Sequence, residues 1–200
     1  MSLVTPFATP PPPEVPTEQA ATVKWEPRYE DVAQDGRLTV LALPPAIGAA
    51  VWRPILTGNP GMRAANRQGI VPILTRLTVS ATETMIRVDR SLHGRGRFAL
   101  ARSERDGEVD RLYLNVWVDI DGTEGRIVPP VPAGDIVPAG RVFAEHVFTR
   151  PFAPRDQRRL VRLDVEGLPA VPELVYPAPA PSTAGEAPAG SEWLDADAVP

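Results

Sequence analysis

The chain has 200 residues, enough for one domain of ordinary size, and 43% hydrophobic against 23% charged residues is the balance of a globular protein with a real core. Absence of cysteine excludes disulfides and thiolate chemistry, and it leaves any zinc site only two histidines and carboxylates, so no metal or other cofactor is expected. The net charge of −4 gives no general attraction for polyanions, and no segment has the roughly 20 apolar residues of a membrane span or the apolar core of a secretory signal; a cytoplasmic protein with neither nucleic-acid nor membrane partners is the expectation.

The 25 prolines lie mostly at the two ends and in one late loop. Residues 10–16 and 177–200 are rich in Pro, Ala, Ser and Gly and bury too little apolar surface to offset the entropy of ordering. Mobile tails at 1–21 and 177–200 are therefore expected around one strand-rich α+β domain at 22–176. Trp193 and Leu194 are the only anchoring side chains late in the second tail.

Inside the domain the first strand is marked by Val23, Trp25 and Tyr29. Leu43, Ile47, Val51 and Ile55 then recur every four residues and place an apolar stripe on one face of a helix. Pro44 and Pro45 suit its first turn, where an amide donor is not needed, while Pro54 and Gly58 end it. A Gly- and Pro-rich connection follows at 57–69. Period-two alternation returns at Val71, Ile73, Leu77 and Val79, at Ile86 and Val88, and at Phe98 and Leu100. The clearest strand runs through Leu112, Leu114, Val116, Val118 and Ile120. Its other face, with Arg111, Tyr113, Asn115, Trp117 and Asp119, reads as a mixed surface able to meet a ligand or partner. Asp106 and Gly107 tolerate the positive φ of a tight hairpin, so the strands on either side pair antiparallel. Later strands are expected at 141–150 and 160–165.

The order of strand, buried helix and antiparallel strands, with Tyr29-Glu30-Asp31-Val32-Ala33-Gln34-Asp35-Gly36-Arg37-Leu38 leading into the helix, resembles the acyl-CoA and acyl-carrier-protein thioesterases of the hot-dog superfamily. Gly69-Ile70-Val71-Pro72-Ile73-Leu74-Thr75-Arg76-Leu77 is similar to their second strand, and the hairpin through Asp106-Gly107 to their third and fourth. The resemblance spans about residues 23–121 and implies a hot-dog fold, a curved antiparallel sheet around a central helix. It also implies a homodimer with thioester sites at its interface, a carboxylate near the start of the helix as base or nucleophile, and helix N-terminal amides that polarise the thioester carbonyl. Acyl-CoA or acyl carrier protein would be the partner.

Many members of that superfamily have Asp three residues before the glycine; here the position is Ala33, with Asp31 and Asp35 on either side. Asp31 and Asp35 are the candidate bases, although Asp35-Gly36 also reads as an ordinary turn and Asp31 as a structural residue. Gly36 and Asn115 are candidate substrate contacts, Asn115 competing with a role in dimer packing. Arg155 and Arg158, with Arg159, form a basic cluster that suits the phosphates of CoA or phosphopantetheine, or a solvated loop. Glu83 and His146 are secondary acid–base candidates, and His93 reads as exposed. If the helix begins at Pro44 and Pro45, two of its first amides are missing; a start near Thr39 would restore donors at Val40 to Ala42. No G-x-S-x-G elbow, Walker loop or H-E-x-x-H is present. Within the superfamily, thioester hydrolysis is the leading activity, with dehydration or acyl transfer with decarboxylation as alternatives. A non-catalytic acyl-ligand or partner-binding protein is the competing reading, suggested by Ala33.

Overall fold

The computed structural model of the chain describes residues 10–34, 36–127 and 129–176. Five strands, β1 (Ala20–Trp25), β2 (Val71–Ala81), β3 (Leu92–Arg105), β4 (Glu108–Thr123) and β5 (Ile136–Thr149), form one antiparallel sheet in the order β1-β3-β4-β5-β2. Between β1 and β2 runs a central helix, α1 (Pro45–Ile47), continuous with a π-helical stretch at Gly48–Leu56 and followed by α2 (Pro60–Arg67). This is the expected α+β hot-dog fold, a sheet wrapped around one central helix.

The alternation in β4 places Leu112, Leu114, Val116, Val118 and Ile120 at no more than 1% exposure, in one cluster with Leu43, Ala46, Ala50 and Val51 of the helix and its approach. The helix comes so close to β3 that a Cβ added at Gly96 would sit 2.5 Å from the Ala50 carbonyl oxygen. The run Gly94-Arg95-Gly96-Arg97 thus divides between the two faces of the sheet. Its glycines lie on the helix side, and its arginines pair with Asp121 and Asp119 on the other, Arg97 Nη2 at 2.7 Å from Asp119 Oδ2. At the β3–β4 hairpin Asp106 and Gly107 have φ of 55° and 81°, as the turn requires.

Several expected elements differ. Pro54 does not end the helix but lies inside it. A proline ring collides with the carbonyl four residues back in an ordinary α-helix; the wider π turn, closed by Thr57 N–H donating to the Trp52 carbonyl at 2.8 Å, accommodates it. The connection at 57–69 contains α2, opened by Asn59, whose Oδ1 accepts from the Met62 N–H at 3.0 Å, with Pro60 at the first helical position. Ile73 and Leu77 are not core residues, because β2 is the sheet edge and a bulge between Leu74 and Arg76 breaks its alternation. Ile86 makes only an isolated bridge to Glu124, and 160–165 forms no strand although Leu160, Leu163 and Val165 are buried. Trp52 is half-buried beside the core.

The far face of the sheet is covered too. Residues 10–16, expected as mobile tail, cross it: Trp117 Nε1 donates to the Pro10 carbonyl at 2.9 Å and Val15 packs against a cluster that includes Tyr113, Trp117, Phe143 and Tyr176. β1 also begins two residues ahead of the expected domain start. The mixed surface read from β4 is therefore largely buried, because aromatic side chains on adjacent strands recruit the chain's own proline-rich segment. Residues 1–9 and 177–200 lie outside the described residues.

Candidate active site

A cavity of about 560 Å³ opens at the N-terminal end of the helix, between residues 37–39 and Leu43 on one side and the end of β2 with the turn after it, residues 81–86, on the other, with Ala139 of β5 completing the wall. Its walls mix the apolar side chains of Leu38, Leu43, Met85 and Ile86 with Thr39, Thr82, Thr84, Arg37 and Glu83. The Thr39 hydroxyl oxygen is buried and has no hydrogen-bond partner among the described residues. Glu83 is exposed at the rim, so a carboxylate and an uncommitted hydroxyl border one space.

The helix approach consists of a 3-10 turn at Val40–Ala42, preceded by Thr39, whose side chain makes no capping hydrogen bond, then Pro44 and Pro45. Ala42 and Leu43 N–H donate to the carbonyls of Thr39 and Val40. The chain turns before the prolines, but as a separate 3-10 turn in which the Ala42 N–H is already committed, and α1 itself begins at Pro45 behind Pro44, where two amide donors are missing.

Asp31 is held elsewhere. Its Oδ2 accepts from the Arg28 backbone N–H at 2.8 Å and its Oδ1 from Arg28 Nη2 at 2.9 Å, closing a capping box around the 3-10 turn Tyr29–Asp31. Burial would push this carboxyl up, but the Arg28 hydrogen bonds and charge outweigh it and hold it below the usual carboxylate range. A carboxylate so committed is a poor base, and it does not line the cavity. Asp35 lies outside the described residues. Gly36, at φ +80° and with its N–H donating to the Ala33 carbonyl at 2.9 Å, is the turn residue that the Asp-Gly reading expected.

The remaining candidates are dispersed. Asn115 is fully buried on the face of the sheet opposite the helix, so it cannot orient a ligand in this cavity. The alternation of β4 fixes its side as opposite to that of Leu114 and Val116. Arg155 and Arg158 line a groove of about 400 Å³ with Ile73, Thr75 and Phe148 at the opposite end of β2. Arg159 is tied to Asp110 at 2.5 Å. His146 faces the helix, its ring 5.5 Å and edge-on from Trp52 and its Nδ1 3.2 Å from the Leu114 carbonyl oxygen; burial pushes its pKa down and so favours the neutral ring. His93 is half-buried in β3. Among the described residues no group of three or more His, Asp or Glu is placed to hold a metal ion, and no single helix is long and apolar enough to cross a membrane.

No family model and no curated protein sequence matches the chain. Solved structures do. A mutant 4-hydroxybenzoyl CoA thioesterase complexed with 4-hydroxybenzoyl CoA is 14% identical, with a TM-score of 0.47 over 68% of this chain and 89% of that one. The 4-hydroxybenzoyl CoA thioesterase of Pseudomonas sp. strain CBS-3 is 15% identical, with a TM-score of 0.41 over 70% and 91%. A hypothetical protein, TT1821, from Thermus thermophilus is 18% identical, with a TM-score of 0.37 over 70% and 92%. These are likenesses in the course of the chain; the hot-dog fold itself rests on the strand order, the register and the helix laid across the sheet.

Proposed function

We propose that this chain hydrolyses an acyl thioester carried by CoA or acyl carrier protein, in the cavity at the N-terminal end of the central helix. The observation that carries the reading is that cavity, with the buried Thr39 hydroxyl and the Glu83 carboxylate on its border. Glu83 takes a proton from water as the water oxygen bonds to the thioester carbonyl carbon. The Thr39 hydroxyl donates to the oxygen that becomes negative. The C–S bond then breaks, and the proton held by Glu83 passes to the leaving sulfur.

The reading entails a homodimer built on β2. This strand is the edge of the sheet, and Ile73, Leu74 and Leu77 are 44–51% exposed along it, a combination that invites pairing with another strand. Antiparallel pairing of β2 with its copy carries the Arg155 and Arg158 groove of one subunit toward the cavity of the other, where the arginines meet the phosphates of the carrier.

The second reading is an acyl-binding protein without turnover, favoured by Ala33 and by the commitment of Asp31 to Arg28. A panel of acyl-CoAs with detection of free thiol, run beside a direct binding measurement on the same ligands, separates the two. Thiol release above the uncatalysed rate supports the hydrolase; binding without release supports the second reading, and neither binding nor release removes both.

A further inference from the structure

The far face of the sheet has the chemistry of a peptide site. Tyr113, Trp117, Phe143 and Tyr176 form an aromatic floor, with ring centroids 5.2 to 6.4 Å apart in the pairs Trp117–Phe143, Tyr113–Tyr176 and Phe143–Tyr176. Across it lie residues 10–16, four consecutive prolines followed by Glu14, Val15 and Pro16. Pro10, Pro12, Pro13 and Val15 are half-buried, whereas Pro11, Glu14 and Pro16 are exposed. Pro11 and Glu14 stand three residues apart, as residues on one face of a polyproline II helix do, and Pro16 has φ −56° and ψ 154°. An indole N–H donating to a proline carbonyl across an aromatic floor is how proline-rich segments are commonly held.

The chain's own segment is an incomplete match. Ala99, Asn115, Glu145 and Arg76 lie in register across four strands of this face. Among the described residues five buried side-chain polar atoms lack a hydrogen-bond partner, and four of them are in this row: both carboxamide atoms of Asn115, Arg76 Nε, and Glu145 Oε2, which is ion-paired to Arg76 Nη2 at 3.3 Å. Buried polar groups are nearly always paired, and a peptide backbone supplies a carbonyl to the Asn115 amide N–H and, at a non-proline position such as that of Glu14 or Val15, an N–H to its oxygen. A groove of about 630 Å³ runs between Glu14, Val15 and Thr17 of the arm and residues 20–22 and 95–97 of the sheet.

We propose that this face is a receptor site for proline-rich segments in the polyproline II conformation, occupied in cis by residues 10–15 and able to exchange that segment for one from another chain. The test uses the full chain with Val15→Asp, which weakens the arm and leaves the floor intact, titrated with a fluorescein-labelled peptide PPPPEVPTEQ, the sequence of residues 10–19. Saturable binding is expected, at least roughly tenfold tighter than to the unaltered chain, whose tethered arm competes at high effective concentration. The alanine analogue AAAAEVATEQ should not bind. Adding Trp117→Phe should weaken binding roughly five- to tenfold, the worth of one neutral hydrogen bond. If that variant does not fold, the Trp117 indole N–H resonance, followed during titration of the Val15→Asp chain, should move with saturation. A folded Val15→Asp chain that shows no saturable binding up to about millimolar peptide, or binds the alanine analogue equally well, overturns the proposal, as does an indole resonance that does not move.

Discussion

Replacing Gly96 by alanine tests how closely the helix sits on the sheet. The added Cβ would lie 2.5 Å from the Ala50 carbonyl oxygen, 2.6 Å from Val51 Cγ2 and 2.8 Å from the Ala50 carbonyl carbon. Two of these are backbone atoms, and ordinary contacts need about 3.5 Å or more, so the helix has to retreat from β3. Overpacking of this kind costs about 1 to 3 kcal/mol, against which the stiffer unfolded chain returns about 0.4 to 1 kcal/mol. The net expectation is a loss of roughly 1 to 2 kcal/mol, read as a lowered urea midpoint with an unchanged slope. Gly94→Ala is the internal comparison: its Cβ would meet the ring of Trp25 at 2.9 Å and Val23 Cγ1 at 3.2 Å. Both are side chains of the edge strand β1, which can swing aside, and the loss should stay below about 1 kcal/mol. A Gly96→Ala midpoint equal to the parent's, or a larger loss for Gly94→Ala, would refute the placement of the helix.

Other outcomes follow from the same geometry. Asp31→Asn should lower stability by about 1 to 3 kcal/mol through its hydrogen bonds to Arg28 while leaving turnover per folded molecule nearly unchanged; a large drop in turnover at an unchanged melting temperature would make Asp31 the base after all. His146 has a folded pKa depressed below 6.5 by burial, so its contribution to stability is present above pH 6.5 and is lost as pH falls from there toward the folded pKa. Urea midpoints at about pH 7.5 and pH 5 should differ less in His146→Phe than in the parent, and an equal difference would count against a buried neutral imidazole. In sedimentation the parent chain should be a dimer at micromolar concentration and Leu74→Lys should shift it to monomer; a parent monomer would leave β2 without its proposed partner.

Much of the architecture was legible because one strand faces the core along its whole length. The alternation from Leu112 to Ile120 and the Asp106-Gly107 turn determine which side of β4 meets the helix and how β3 returns. The edges were less legible. Ile73 and Leu77 read as core because apolar residues on an edge strand look the same in sequence whether they face their own helix or await another chain. α2 was hidden by its Gly and Pro content, yet Asn59-Pro60, a capping residue followed by proline at the first helical position, was the signal that marks it. The arm at 10–16 was misread because composition accounts for what a segment can bury by itself and not for an aromatic floor contributed by strands about a hundred residues later. At the site, Glu83 and Thr39 are far apart in the chain and border one cavity only because the approach to the helix lies across it from the turn beyond β2.

Whether Glu83 acts as the base is decided by comparing thiol release from acyl-CoA by the parent chain and by Glu83→Gln, with the melting temperatures of both measured alongside. Glutamine keeps the size of the side chain and removes the base, so turnover should fall by about 100-fold or more while the melting temperature stays the same. Equal turnover in the two proteins would contradict the assignment of Glu83 as the base in this cavity.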